Sequence, residues 1–284
     1  MNKLLLPSIL VTLLLGLSIN AIAQPLIIPL WEEGAPGFEQ LKDEPELSGD
    51  WWVRNVHNPT ANVFLAPDSI ANGTAMVIFP GGGHQNLVYN SEGVNPAKFL
   101  NSLGIHAIVV KYRLARQEGS PYSLETHNAQ DAHRGVRVAR YYADEWGIDP
   151  DRIGVFGFSA GGETSALVAY GKGNEHQASG DDIDTISSKP NFQILVYPGP
   201  LFIPEAVSKD APPTFAIVSN NDECCSDPVL KLLSAYRKAG VHFEAHIYGF
   251  GDHAFNMGYR SDLESISGWP NRLKDWLKDS ELID

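Results

Sequence analysis

Residues 152–162 read RIGVFGFSAGG, and this stretch decides the fold. The apolar run that ends at Phe156 predicts a buried strand, and the run that starts at Gly162 predicts a helix. Between them, residues 157–161 have the pattern G-x-S-x-G, in which a sharp turn from strand to helix lifts a serine hydroxyl clear of the sheet. Glycines are expected beside Ser159 because larger side chains would collide with the neighbouring strand and helix. The stretch therefore predicts an exposed serine nucleophile on a strained turn.

Short apolar runs alternate with amphipathic runs on both sides of this turn. The predicted strands are 75–79, 106–112, 152–156, 192–197, 215–218 and 241–248. The predicted helices are 96–103, 127–146, 162–170, 228–239 and 269–277. Strands that alternate with helices indicate an α/β protein with a mostly parallel central sheet and helices on both faces. We expect a single domain, with its core in residues 75–284.

The N-terminal end reads as a targeting segment followed by an arm. Lys3 precedes an apolar stretch, and Ala21-Ile22-Ala23 matches a cleavage site, so residues 1–23 are predicted to be a signal peptide. An uncleaved anchor is the alternative, but small residues and Asn20 do not suit the end of a buried helix. Residues 24–74 are rich in proline and glycine and predict an arm with the first short strands. We expect a secreted or periplasmic protein with no membrane attachment in its mature form.

The composition excludes several classes of protein. With 284 residues and 43% hydrophobic residues, the chain can bury a large core. Its formal charge of −13 repels phosphate backbones and argues against nucleic-acid binding. The two cysteines, Cys224 and Cys225, cannot build a zinc site. In an oxidising compartment they could form a vicinal disulfide or stay two thiols, and the sequence favours neither; the oligomeric state is equally open.

A serine nucleophile needs a base and an acid that orients the base. In this architecture they follow in the order serine, acid, histidine. His253 lies in a glycine-bounded loop after the last predicted strand. Asp222 follows the preceding strand, at the edge where α/β sheets bind ligands, with Glu223 and Asp227 as rivals. The sequence therefore predicts Ser159 as nucleophile, His253 as base and Asp222 as acid.

A second glycine-rich segment follows the first strand of the core. Pro80-Gly81-Gly82-Gly83-His84 could aim backbone amides at an oxyanion, with the amide of Ala160 as the further donor. Neither the Walker spacing nor G-x-G-x-x-G is present, which disfavours a phosphate site. We predict that Gly81, Gly82 and Ala160 form an oxyanion hole and that His84 lines the substrate pocket.

These segments together resemble secreted α/β-hydrolase esterases of the acetylxylan esterase and esterase/lipase-like group. The matching pieces include FPGGGH at 79–84, EGVNPAKFLNSLGI at 92–105, WGIDPDRIGVFGFSAGG at 146–162 and YGFGDHAF at 248–255. The resemblance implies an α/β-hydrolase fold, a triad of Ser159, Asp222 and His253, and deacylation of short acyl esters on carbohydrates without metal or cofactor. Members often have histidine where this chain has Glu163, which we therefore expect, with His84, to contact the substrate.

Two other functions remain open. A prolyl-oligopeptidase-type peptidase uses the same triad order, but such enzymes usually need a large gating domain for which this chain has no room. A non-catalytic carbohydrate-binding protein on a hydrolase fold is the second alternative. Trp51 and Trp52 could stack on sugar rings in either an esterase or a binding protein.

Overall fold

An eight-stranded sheet forms the centre of the molecule. The computed structural model describes residues 25–171 and 178–284, so the signal peptide predicted at residues 1–23 lies outside the described residues. The strands are β1 (Leu26–Pro29), β2 (Leu47–Ser48), β3 (Val53–Arg54), β4 (Thr60–Phe64), β5 (Ala75–Phe79), β6 (His106–Lys111), β7 (Ile153–Phe158), β8 (Phe192–Val196), β9 (Thr214–Ser219) and β10 (Phe243–Tyr248). All but β2 and β3 join the sheet, in the order β1-β4-β6-β5-β7-β8-β9-β10.

The sheet is parallel from β6 to β10 and antiparallel at its other edge. Strand β4 pairs antiparallel with β6, and β1 pairs antiparallel with β4. The central strands are buried on both faces, as the continuous apolar runs predicted. The parallel pairings bring the carboxyl ends of β5, β7, β9 and β10 to one edge of the sheet, where the candidate site lies.

Helices cover both faces of the sheet. They are α1 (Asn95–Ser102), α2 (Ala129–Tyr141), α3 (Ala143–Trp146), α4 (Ala160–Tyr170), α5 (Ser226–Ala239), α6 (Glu264–Ser267) and α7 (Trp269–Asp279). Alternate residues of β5 enter two separate cores. Met76 and Ile78 pack with α1, α5 and α7, whereas Val77 and Phe79 pack with α2. The predicted fold class, a mostly parallel sheet with helices on both faces, is confirmed.

The long helix predicted at 127–146 is not continuous. Residues Leu124–Asn128 form a wide helical turn before α2. The backbone of Tyr142 then leaves the helical region, with ψ at 13°, and separates α2 from α3. Tyr142 stacks on Trp146, with ring centroids 5.0 Å apart, so the apolar stripe continues although the helix does not. Hydrophobic periodicity reports which face is buried and cannot register such a local change in the backbone.

The arm at residues 24–74 is part of the domain. It supplies β1 and β4 to the sheet, and Trp31 is buried. The indole nitrogen of Trp31 donates to Asp131 Oδ1 at 3.0 Å, and the Arg134 guanidinium lies 4.8 Å from the centroid of its ring. The arm is therefore anchored on α2, which carries both of those partners.

Trp51 and Trp52 lie on the short β2–β3 hairpin. The Trp51 side chain is half exposed, and the Arg54 guanidinium lies 4.8 Å from the centroid of the Trp52 ring. The amide of Asn90 donates to the Trp51 carbonyl, so the hairpin is attached to the segment that follows the glycine-rich loop. None of the helices in residues 25–171 and 178–284 has both the length and the hydropathy needed to cross a bilayer.

Candidate active site

Ser159 lies at the sharp turn between β7 and α4. Its backbone has φ 51° and ψ −119°, a conformation that non-glycine residues seldom adopt. A Cβ atom at Gly157 would lie 2.1 Å from the Gly161 carbonyl oxygen, and one at Gly161 would lie 1.9 Å from the Phe79 carbonyl oxygen. The glycines on both sides of the serine are therefore required by close backbone approach, as the sequence predicted. The turn presents the Ser159 hydroxyl at the carboxyl edge of the sheet.

The structure brings Ser159, His253 and Asp222 into one hydrogen-bonded line. Ser159 Oγ lies 2.9 Å from His253 Nε2, and His253 Nδ1 lies 2.7 Å from Asp222 Oδ2. The Asp222 side chain is buried, whereas a third of the His253 side chain is exposed. A buried carboxylate on one imidazole nitrogen holds the other nitrogen towards the hydroxyl, which is the arrangement that activates a serine.

The predicted acid and the predicted base lie on two loops that follow neighbouring strands. Asp222 follows β9 in a tight turn, where its carbonyl accepts the amides of Cys225 and Ser226 at the start of α5. His253 follows β10, and its amide donates to the side chain of Asp252 at 2.8 Å. The rival acids Glu223 and Asp227 are exposed. Of the three candidates, Asp222 alone is hydrogen-bonded to His253.

The predicted oxyanion donors are only partly available. The Gly81 amide donates to Glu92 Oε2 at 2.8 Å, so it is already committed to a side chain that the sequence analysis did not select. Within the described residues, the amides of Gly82, Gly83 and Ala160 donate to no protein group. Gly82 and Gly83, rather than Gly81, are therefore the glycines of this loop whose amides remain available, together with the amide of Ala160.

His84 and Glu163 do not line an open pocket, contrary to expectation. Both are buried, and His84 Nε2 lies 2.8 Å from Glu163 Oε2. The other oxygen of Glu163 accepts the amide of Leu201 at 3.1 Å. This pair joins the glycine-rich loop to α4 and to the segment after β8. Neither side chain is exposed, so in this structure the pair links the loop to α4 and lines no open cleft, and contact with a substrate stays a prediction.

Cys224 and Cys225 form a vicinal disulfide, which resolves the alternative that the sequence left open. Cys224 is exposed, and its sulfur lies 3.3 Å from Asp222 Oδ1 and 3.8 Å from His253 Nδ1. Asp222, His253 and the two cysteines also form the one cluster of potential metal ligands found in the described part of the chain. Because the sulfurs are bonded to each other, they cannot act as thiolate ligands. The cluster therefore does not suit a metal ion.

A second layer of polar side chains, which sequence reasoning missed, lies beneath His253. Glu92, Tyr197 and Asn256 are buried, and the Tyr197 hydroxyl donates to Glu92 Oε1 at 2.9 Å. Burial raises the pKa of Glu92 to about 7. Burial also raises the pKa of the Tyr197 hydroxyl, which therefore remains a donor. The one sequence signal for this layer was that Glu92 opens the segment 92–105 of the family resemblance.

A cleft of about 420 Å³ opens beside His253. Its walls are residues 251–255 and residues 260–263 together with Ile266. A larger cavity of about 480 Å³ lies at the far end of α4, near Tyr170 and Val207, and contains none of the predicted site residues. Of these two cavities, the cleft beside His253 is the one lined by a residue of the Ser159–His253–Asp222 line.

Comparison with known proteins identifies the fold. A family model described as the alpha/beta hydrolase fold matches residues 76–211. An acetylxylan esterase from Xylanibacter ruminicola is 30% identical over 235 residues, which is 70% of this chain and 45% of that protein. The chain thus spans less than half the length of this curated relative.

Solved structures give the same result over a larger part of the chain. An acetyl ester-xyloside bifunctional hydrolase from Caldicellulosiruptor lactoaceticus superposes with a TM-score of 0.73 and 26% identity, covering 93% of this chain and 100% of that one. A thermophilic esterase from Thermogutta terrifontis has a TM-score of 0.68 at 21% identity, covering 80% of this chain and 91% of that one. The chain therefore has the α/β-hydrolase fold, and its resemblance to the acetylxylan esterase group is confirmed.

Proposed function

We propose that this chain is a serine esterase that removes short acyl groups, acetyl above all, from carbohydrates such as xylan or its oligosaccharides. The observation that carries the proposal is the hydrogen-bonded line from Ser159 through His253 to Asp222. The relatives support the substrate class, since one is an acetylxylan esterase and another a hydrolase of acetyl esters and xylosides.

The first step transfers the acyl group to the enzyme. Ser159 Oγ attacks the ester carbonyl carbon while its proton passes to His253 Nε2. Asp222 holds the imidazole in place and stabilises the imidazolium. The carbonyl oxygen becomes an oxyanion, for which the amides of Gly82, Gly83 and Ala160 are the available donors. The bond to the alcohol oxygen then breaks, and His253 returns the proton to the departing sugar hydroxyl.

The second step releases the acid. A water molecule gives a proton to His253 and attacks the acyl carbon, and the same amides receive the second oxyanion. Collapse of that intermediate frees Ser159 Oγ, which recovers its proton from His253. The imidazole must be neutral to start either step, so activity is expected to fall in acid.

The chain is proposed to act outside the cytoplasm. The motif at residues 1–23 supports export. A Cys224–Cys225 disulfide is also of a kind that persists in oxidising compartments. Mass determination of the protein recovered from the periplasm or the medium would test this, with a mature N-terminus at Gln24 as the expected result.

The activity is tested with acetyl, butyryl and feruloyl model esters and with acetylated xylan. We expect the wild type to hydrolyse the acetyl ester fastest and to release acetate from xylan. We expect Ser159→Ala to lower the rate by a factor on the order of 10⁴ or more with an unchanged circular dichroism spectrum. Equal activity of both proteins would remove Ser159 from the mechanism. Hydrolysis of peptides but of no ester would favour the peptidase alternative.

A further inference from the structure

Glu92 is a buried carboxylate that the two-step mechanism does not use. It lies in the helical turn Asn90–Val94, just before α1, and its side chain is 2% exposed. Its hydrogen-bond donors are a backbone amide, a tyrosine hydroxyl and a side-chain amide. A carboxylate buried among uncharged donors usually costs stability compared with an apolar residue of similar size. The position therefore suggests a role other than stabilising the fold.

One oxygen of Glu92 holds the oxyanion loop, which we define as residues 80–84. Oε2 accepts the Gly81 amide at 2.8 Å. Gly81 is closely enclosed, because a Cβ atom there would lie 2.6 Å from the Phe158 carbonyl oxygen and 3.0 Å from Ser159 Cβ. The hydrogen bond from Gly81 thus fixes the oxyanion loop at Gly81, which lies beside Ser159 and directly precedes Gly82 and Gly83.

The other oxygen of Glu92 holds the histidine loop, which we define as residues 249–256. Oε1 accepts the Tyr197 hydroxyl at 2.9 Å. With its amide turned so that its hydrogen bonds are satisfied, Asn256 donates to the same oxygen at 2.8 Å. The backbone amide of Asn256 also donates to the Tyr197 hydroxyl at 3.0 Å, and the Tyr197 ring packs edge-on against the His253 ring, with centroids 4.8 Å apart.

We propose that Glu92 is a positioning residue that joins the oxyanion loop to the histidine loop, so that the amide donors and His253 keep a fixed geometry around Ser159. This inference rests on the proposed esterase function. The link works through hydrogen bonds made at both carboxylate oxygens. Burial disfavours the charged carboxylate and raises the pKa of Glu92 to about 7. The hydrogen bonds from Tyr197 and from the Gly81 amide stabilise the charge and offset part of this effect.

Two substitutions at Glu92 separate the link from the packing. Glu92→Leu keeps most of the volume but accepts no hydrogen bond, and we expect kcat on an acetyl ester to fall by about 10- to 100-fold with KM changed by less than about 3-fold. Glu92→Gln can still accept from Gly81, and its amide can donate to Tyr197 and to Asn256 once the Asn256 amide turns. We expect this variant to recover kcat to within about 5-fold of the wild type.

The matched control is Asn101→Leu. Asn101 also holds two backbone groups, the carbonyls of Phe64 and Ile105, but near the opposite end of α1 from Glu92. We expect it to lower the melting temperature without lowering kcat. If Glu92→Leu does not fold, Tyr197→Phe removes one arm of the link and is expected to lower kcat by about 3- to 10-fold at constant KM.

The outcomes distinguish this inference from the proposed function. An inactive wild type would refute the esterase proposal itself. An active wild type with a folded Glu92→Leu variant of normal kcat would overturn the positioning role alone. A folded Glu92→Gln variant as slow as Glu92→Leu would also overturn it, because hydrogen bonds to both loops would then not be enough to keep the geometry.

Discussion

Five side chains in and around the site stand on backbone with positive φ, where residues other than glycine are uncommon. They are His84, Ser159, Tyr197, Ala254 and Asn256, with φ between 37° and 60°. Each such residue costs on the order of 1–3 kcal/mol, and it persists only where its surroundings hold it in place. Here Ser159, Tyr197 and Asn256 are held in place by their hydrogen bonds. These residues thus keep an unfavourable backbone conformation that lowers the stability of the fold and fixes the geometry of the site.

The titration of Glu92 gives a stability prediction at the same scale. Its pKa in the folded chain is about 7, above the ordinary 4.5, so between these values the folded state binds the proton more tightly than the unfolded state. Stability therefore falls as the pH rises through this window, by roughly 3 kcal/mol for a group that titrates fully. The other groups that act on Glu92 electrostatically are Tyr112, Tyr197, His253 and Arg260.

Urea unfolding of the wild type and of Glu92→Gln from pH 5 to pH 8 measures this effect. Because glutamine does not titrate, the wild type should lose stability relative to the variant as the pH rises. A difference in unfolding free energy that stays constant across this range would contradict the assigned burial of the Glu92 charge.

The sequence analysis predicted Ser159, His253 and Asp222 but not the buried polar residues beneath His253. Ser159, Asp222 and His253 could be predicted because each follows a strand and because their order in the chain is restricted. Glu92 gave no comparable signal, because an acidic residue near the start of a helix is ordinarily exposed to solvent and interacts favourably with the helix dipole. Its partner Tyr197 lies 105 positions away in sequence, and pairing of that kind is visible only in the folded chain.

At the scale of elements, the loop after β9 combines Asp222, the proposed catalytic acid, with a disulfide. The Cys224 sulfur lies against the Asp222 carboxylate, and Cys225 is buried beneath the first turn of α5. We expect reduction of this disulfide to loosen the turn and lower kcat on an acetyl ester by about 3- to 10-fold, with recovery on reoxidation. The measurement is activity with and without dithiothreitol, with the redox state read from the mass of the alkylated protein.

The control for this prediction is the Cys224→Ser, Cys225→Ser double variant. Its activity should be low and should not respond to dithiothreitol. A wild type that is fully alkylated after reduction and yet keeps its activity would refute the role of the disulfide in holding Asp222.

Elements were predicted best where burial is continuous. The strands β5 and β7 follow from unbroken apolar runs, and β8 follows from a run interrupted only by Gln193. The interruption at Tyr142 and the wide turn at Asn90–Val94 did not follow, because both are local backbone changes that leave the apolar pattern intact. The strand and helix that flank Ser159 also extend closer to the serine than predicted, since Gly157 and Gly161 there serve close packing and do not end the elements.

At the scale of the whole molecule, we expect the arm and the core to unfold as one cooperative unit, because the arm supplies two strands of the sheet. Trp31 is 2% exposed and packs on α2, whereas Trp51 is 50% exposed on its hairpin. We expect Trp31→Ala to lower the free energy of unfolding by about 3–5 kcal/mol, because it empties a buried site and removes one of the hydrogen-bond donors to Asp131, which still accepts from Arg113.

Trp51→Ala provides the comparison within the same arm. We expect it to cost less than about 1 kcal/mol, since half of its surface stays in contact with water in the folded chain. Urea denaturation of both variants measures the difference. Equal effects of the two substitutions would mean that the arm does not belong to the cooperative unit.

The topology explains why residues far apart in sequence meet at one site. Four parallel strands, β5, β7, β9 and β10, end at the same edge of the sheet, and the loops that follow them carry the oxyanion donors, the serine, the acid and the base. The sequence predicted this convergence because strands alternating with helices imply a parallel sheet. The antiparallel β1–β4 edge was less visible, since short strands among prolines and glycines give a weak periodic signal.

The most direct test of the account is to identify the atom that becomes acylated. A fluorophosphonate probe reacts covalently with an activated serine, and peptide mass spectrometry locates the adduct. We predict one adduct per chain, on Ser159, formed by the wild type and absent from Ser159→Ala, and greatly slowed in His253→Ala because no base would then accept the hydroxyl proton. An adduct on another residue, or none in a protein that still hydrolyses acetyl esters, would contradict the central claim that Ser159 is the nucleophile.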